Sequence, residues 1–314
     1  MRLEYVVGTR GSALALAQTE SVLRALRAAR PEVTFRVSAI RTTRDRQSDR
    51  ALEQLPGIGF FVKELEQALL SKTVDLAVHS MKDLPTAETP GLTIAAVTAR
   101  ADPRDVLVAR DGLTLAALPP GARIGTSSPR RAGFLLAARS DVQVVHVRGN
   151  VETRVHKVDA GEVDAVCLAA AGLLRVGLGR RITDWLPLDV MLPAPGQGAL
   201  GVQVRVEDAG AGGVVAAVED RPTRAAVLAE RAMLQKLEGG CRLPAGAFAR
   251  PAESSTGEER LEAAGAVVSP DGTRIIRAQR VGAFADAAAV GTALADDLLA
   301  HGAARLAYEE MPNA

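Results

Sequence analysis

The stretch ARIGTSSPRRAGFLLAAR, residues 122–139, decides how the chain is read. It opens as a short strand and turns at Thr126-Ser127-Ser128. Pro129 suits the first helical position, where its missing N–H costs nothing. Apolar residues then follow at helical spacing. Arg130 and Arg131 fall in the first turn of that helix. A helix N-terminus carries partial positive charge and favours acidic side chains. Two arginines there oppose the local preference. The opposition disappears if an anion binds, held by the free N–H groups and the guanidinium groups together.

The same strand-to-helix junction recurs along the chain. VVGTRGSALA (6–15) places Arg10 between a strand and a helix, with Ser12 as the candidate N-cap. VHVRGNVETR (145–154) puts Arg148 at a strand end, Gly149 beside it and Arg154 one turn inside the next helix. VHSMKDLP (78–85) sets Lys82 and Asp83 just after a strand. In open α/β sheets, ligands bind beyond the carboxyl ends of the strands. A solvated surface charge explains any one of these cations. Four junctions of one kind imply a cationic cleft and a ligand with several carboxylates. Asp83 is a lone carboxylate in that set, and nearby positive charge keeps it ionised. It can steady a cationic intermediate or exchange a proton with a substrate nitrogen. A plain ion pair with Lys82 or an arginine accounts for it equally well.

Up to about residue 200, strand-like runs (5–10, 33–40, 74–80, 91–100, 142–149) alternate with helical ones (12–30, 60–72, 151–161), and 163–177 reads as a strand running into a helix. This predicts an α/β architecture with largely parallel strands. The last third differs. Residues 221–240 predict one long helix ending at glycines. Residues 261–283 predict a hairpin turning at Asp271-Gly272, and 286–307 a terminal helix. That is a small α+β domain, with its boundary near 210–221 where EDAGAGG breaks the pattern. LPAPGQGALGV (192–202) is a second break and a candidate interdomain crossing.

Composition bounds the rest. The 314 residues are 47% hydrophobic and 24% charged, enough for two or three domains. A net charge of +1 offers no global field for nucleic acid or membrane. Of 38 basic residues, five are lysine (63, 72, 82, 157, 236) and the other 33 arginine, the better fork for carboxylates. Cys167 and Cys241 cannot build a disulfide framework, and the four histidines are scattered, so no metal site is expected. The N-terminus has no long apolar run of the secretory kind, and no segment is apolar enough to span a bilayer. The expectation is a soluble cytoplasmic protein with reduced thiols.

A family resemblance rests on GTRGSALALAQ, FFVKELEQALL, DLAVHSMKDLPT, DPRDVLV, IGTSSPRRAGFL, VRGNVETRVHK, LAAAGLLRVGL, LPAPGQGALGV and AERAMLQKLEGGCRLPAGA, which cover nearly the whole chain in order. The chain resembles the porphobilinogen deaminases, or hydroxymethylbilane synthases. The resemblance implies a transferase of tetrapyrrole (haem, porphyrin) biosynthesis. It would join four porphobilinogen molecules head to tail, release ammonia at each step and yield hydroxymethylbilane. It implies a dipyrromethane cofactor, made from substrate and held by a thioether at Cys241, the cysteine of EGGC. Gly239 and Gly240 would let the backbone approach that cofactor. Without the match, Cys241 reads as a small buried hydrophobe, as Cys167 does.

The resemblance further implies that Asp83 is catalytic, contacting pyrrole nitrogens and steadying an azafulvene-like cation. Lys82, Asp83, Ser128, Arg130, Arg131, Arg148 and Gly149 would hold the cofactor. Arg10, Ser12, Arg148, Arg154 and Arg175 would hold substrate and the growing polypyrrole chain, with Ser80, Thr126 and Ser127 as further donors. The implied fold has two lobes like those of periplasmic binding proteins plus the small C-terminal α+β domain. Domain 1 takes 1–99 and 200–217, domain 2 takes 100–199, and domain 3 takes 218–314. The implied protein is a cytoplasmic monomer without metal, nucleic-acid or membrane partner. The chain departs from the family pattern at Ile58, where a lysine is common, and at Arg44, where a glycine is common. Arg44, Arg46 or Arg50 would then replace the missing cation. A non-catalytic two-lobed binding protein for a polycarboxylate is the alternative, and a regulator's effector module a second. The first does not explain the glycine-flanked cysteine, and no helix-turn-helix segment is read before residue 30 to support the second.

Overall fold

The computed structural model describes residues 2–40, 62–237, 244–252 and 259–306. In chain order these form β1 (Glu4–Arg10), α1 (Ala13–Ala29), β2 (Thr34–Ile40), α2 (Lys63–Leu70), β3 (Leu76–Ser80), β4 (Leu92–Val97), β5 (Asp105–Ala109) and β6 (Arg123–Gly125). Next come α3 (Pro129–Ala138), β7 (Gln143–Val145), α4 (Val151–Asp159), β8 (Ala165–Ala169), α5 (Ala170–Arg175), β9 (Asp184–Trp185) and β10 (Leu200–Arg205). The chain continues through α6 (Ala209–Val215), α7 (Arg221–Leu237), β11 (Ala245–Ala252), β12 (Arg260–Val268), β13 (Ile275–Ala283) and α8 (Ala287–Ala300). It divides into two compact units: Met1–Arg100 with Ala199–Arg224, and Ala101–Gly198 with Ala225–Ala314.

The first unit is built on a sheet of order β2-β1-β3-β10-β4. Leu23 and Leu26 of α1 pack on one face with Tyr5, Val7 and Val78. Leu65 and Leu69 of α2 pack on the other with Val74 and Ala77. The second unit repeats the plan with order β7-β6-β8-β5-β9. Phe134 and Leu135 of α3 cover one face with Ile124 and Leu107. Val155 and Val158 of α4 cover the other with Val106 and Val166.

Within the same unit, β11-β12-β13 form an antiparallel sheet. One face buries Ala263 and Val267 against Met233 and Leu294, from α7 and α8. The other meets α3, where a Cβ on Gly133 would lie 2.7 Å from the Ser269 carbonyl oxygen. Only glycine permits that approach.

The α/β reading, the C-terminal α+β region and the Asp271-Gly272 hairpin are all present, with Gly272 at φ +73°. The sheets are mixed, where largely parallel strands were expected. β10 runs antiparallel to β3 and β4, and β5 antiparallel to β8 and β9. In each sheet that strand is the one the chain supplies on passing from one unit to the other. Both are buried at every residue, so neither shows the polar alternation that marks a half-exposed strand. The glycine-rich stretch read as a break is helical as α6, because the Asp208 side chain accepts from Ala211 N at 2.9 Å and caps it.

Candidate functional site

The second unit gathers its polar groups at the carboxyl ends of β6 and β7. Ser128 caps α3, its Oγ accepting from Arg131 N at 3.4 Å, and Pro129 takes the first helical position. Asn150 caps α4, its Oδ1 accepting from both Thr153 N and Thr153 Oγ1 at 2.7 Å. Gly149 adopts φ +115°, and a Cβ there would lie 2.7 Å from Thr153 Cγ2. That backbone turn brings Arg154 across the two junctions. Its Nε donates to Gly149 O at 2.9 Å and its Nη2 to Ser127 Oγ at 3.2 Å. Arg148 is exposed beside them and donates to His146 Nε2 at 3.2 Å. Hydroxyls, guanidinium groups and two helix N-termini thus converge, a donor set suited to carboxylates. The acetate and propionate groups of a dipyrromethane would fit it.

Arg130 and Arg131 are placed differently. They are only 6% and 7% exposed, and Asp105 between them is fully buried. Arg130 Nη1 donates to Asp105 Oδ2 at 2.6 Å and to Leu192 O at 2.6 Å. Arg131 Nε donates to Asp105 Oδ1 at 2.9 Å, and its Nη1 to Cys167 O at 3.2 Å. Gln197 Nε2 completes the group, 3.0 Å from Asp105 Oδ1. Burial pushes the Asp105 carboxyl up, but Arg130 and Arg131 outweigh it and hold the group below the usual carboxylate range. The anion at the start of α3 is therefore an internal carboxylate. Asp105 escaped the sequence reading because β5 did; the one available signal was its position inside DPRDVLV.

Arg175 lies in the last turn of α5 and donates to Gly198 O at 2.7 Å; partial burial lowers its pKa. Cys167 is buried on β8, as its apolar surroundings implied, and burial pushes its thiol up to about 12. Such a thiol is inert. Cys241, Gly239, Gly240, Ile58, Arg44, Arg46 and Arg50 lie outside the described residues.

In the first unit, Arg10 ends β1, and Ser12 caps α1, its Oγ accepting from Ala15 N at 3.3 Å. Lys82 and Asp83 sit on a single 3₁₀ turn directly after β3, Lys82 half-buried and Asp83 exposed. Beneath that turn His79 is buried, and burial lowers its pKa to about 4 against the opposing pull of Gln203. Gln203 Nε2 donates to Glu66 at 3.0 Å, and Thr89 Oγ1 donates to the same carboxylate at 2.9 Å. His79 and Glu66 were not singled out in the sequence, since nothing local marks a buried polar chain. Among the described residues no cluster of His, Cys, Asp or Glu fits a metal ion, and no helix is long and apolar enough to cross a membrane.

The chain matches known proteins along nearly its whole length. Residues 5–212 match the model described as porphobilinogen deaminase, dipyromethane cofactor binding domain, and residues 224–300 match its C-terminal domain. A porphobilinogen deaminase of Desulforudis audaxviator is 50% identical over 306 residues, 98% of this chain and 97% of that protein. Its counterparts in Roseiflexus castenholzii and Deinococcus radiodurans are each 48% identical, covering 95% and 96% of this chain and 97% and 96% of their own. A putative methionine-binding lipoprotein of Bacillus subtilis superposes at TM-score 0.42 and 16% identity, over 69% of this chain and 90% of its own. The chain belongs to the porphobilinogen deaminase family, dipyrromethane-dependent transferases that polymerise porphobilinogen to hydroxymethylbilane in tetrapyrrole biosynthesis.

Proposed function

We propose that the residues named above divide the family's reaction as follows. Cys241 carries the dipyrromethane through a thioether. Lys82, Ser128, Arg130, Arg131, Arg148 and the Gly149 backbone hold its carboxylates. Arg10, Ser12, Arg148, Arg154 and Arg175 hold the carboxylates of incoming porphobilinogen and of the growing chain. The bound cofactor supplies the pyrrole carbon to which new units are joined. Asp83, next to Lys82 in the chain, contacts the pyrrole N–H groups and steadies positive charge as ammonia leaves. Its exposed position on a short turn lets it exchange protons with substrate nitrogens. Ser12 and Ser128 aim their helix N-termini at anions, and Arg154 fixes the spacing between the β6 and β7 junctions.

What supports this reading is the convergence of Ser127, Gly149 and Arg154 within hydrogen-bond distance, in motifs that match the family. The protein would act as a cytoplasmic monomer in three domains, bounded at 99, 199 and 217, with no nucleic-acid or membrane partner. The net charge of +1 agrees with that. The test is intact mass followed by peptide mapping around Cys241. An excess of two linked pyrrole units on Cys241 is expected. A Cys241 that stays unmodified after incubation with porphobilinogen would sink the assignment.

A further inference from the structure

We infer that Asp105 is a positioning residue for cofactor capture: its buried carboxylate sets Arg130 and Arg131 in the geometry that receives the cofactor's carboxylates. The inference rests on the proposal that these two arginines are cofactor ligands.

Four donors meet on this one carboxylate. Arg130 Nη1 lies 2.6 Å from Oδ2, while Arg131 Nε and Nη2 lie 2.9 and 2.8 Å from Oδ1. Gln197 Nε2 bonds Oδ1 and also donates to Pro103 O at 2.7 Å, which fixes the carboxylate relative to its own strand entry. Each guanidinium has a second anchor on a backbone carbonyl, Leu192 O for Arg130 and Cys167 O for Arg131. Neither group can swing without breaking two bonds.

The charge balance points beyond structure. Two guanidinium groups share one carboxylate, and Asp105 is the only acidic side chain among the described residues that pairs with either. One arginine already balances the Asp105 charge. The second leaves one positive charge uncompensated, nearly dehydrated, at the N-terminus of α3, where the helix adds to its pull on an anion. Protein groups alone fix both guanidinium groups, so little freedom is lost on binding a carboxylate. Removing the Asp105 charge would leave two adjacent cations repelling each other, and the pair would lose its shape before any ligand came.

The test uses the full chain, produced without a porphobilinogen source, and follows cofactor loading by intact mass after porphobilinogen is added. Circular dichroism and thermal melts run alongside. In folded Asp105→Asn protein, adduct formation at least tenfold slower than wild type is expected. It should lose little more when Arg131→Leu is added, because both changes disable one unit. A wild-type loading rate in folded Asp105→Asn, whatever its melting temperature, would make the residue structural only and overturn the inference. Fully additive losses in the double variant would overturn it as well. If Asp105→Asn does not fold, Asp105→Glu keeps the charge and displaces it by one methylene. Slowed loading is again expected, and a wild-type rate would again overturn the inference. A wild-type chain that gains no two-pyrrole mass is a different failure: it removes the cofactor assignment, and this inference with it.

Discussion

The two units carry matching ion clusters with opposite balance. In the first, Arg205 of β10 reaches Asp75 at 3.3 Å and Asp208 at 2.8 Å, while Arg2 pairs with Asp75 at 2.6 Å. Two arginines meet two carboxylates, and the sum is zero. In the second, Asp105 of β5 meets Arg130 and Arg131, and the sum is +1. Both clusters are anchored on the antiparallel strand, and both use backbone carbonyls as further acceptors. The balanced cluster holds a sheet to its helices. The unbalanced one sits where a helix begins, and its surplus charge is the one proposed to receive the cofactor. Net charge is thus the feature that differs between the two clusters, where burial and bond count do not.

The sharpest test removes Asp83, the carboxylate proposed to act in the reaction. Asp83→Ala should retain the fold by circular dichroism and lower kcat by about 10²–10⁴-fold, the range for losing a positioned acid–base group. Wild-type turnover would take Asp83 out of the reaction. The clusters come next. Arg205→Leu should destabilise the protein by about 1–3 kcal/mol in denaturant titrations, because it removes one partner of buried Asp75 and leaves the Leu69 and Val74 carbonyls without their donor, yet leave cofactor loading of the folded fraction unchanged. Arg131→Leu should impair cofactor assembly at any stability. Equal loading defects in the two variants would erase the distinction between the clusters.

His79 gives a pH-dependent effect. Its folded pKa of about 4 lies below the ordinary 6.5, so between those values the unfolded chain binds a proton that the native one does not. Stability present above pH 6.5 is therefore lost as pH falls toward 4, by roughly 3 kcal/mol. Unfolding free energies measured across that window should show the slope in wild type and a flatter line in His79→Leu. An unchanged slope would place the titration elsewhere. The smallest effect is expected from Gly149→Ala, which forces a side chain into φ +115° against Thr153 and should cost about 1–3 kcal/mol. Thermal melts would read it, and reduced loading would accompany it if the Gly149–Arg154 bond spaces the two junctions.

Local chemistry made much of this legible. Ser12 and Ser128 cap their helices, Pro129 opens one, and Asp271-Gly272 turns the hairpin, each because a residue satisfies backbone groups next to it in the chain. The clustering of Arg148, Gly149 and Arg154 was readable for the same reason. Asp105 was not. It lies 25 and 26 residues from its partners, on a strand whose complete burial removes any periodic signal. His79 and Gln203 meet only because β3 and β10 are neighbours.

The sequence by itself determined most of the element types, the Ser12 cap, the family and the positions where cations crowd strand ends, because these depend on neighbours a few residues apart. Only the tertiary structure decided that both sheets are mixed, and which of those cations already hold a carboxylate. Burial and charge pairing act through space between residues far apart in the chain, and a pattern read along the chain carries no trace of the distance between Asp105 and its two arginines.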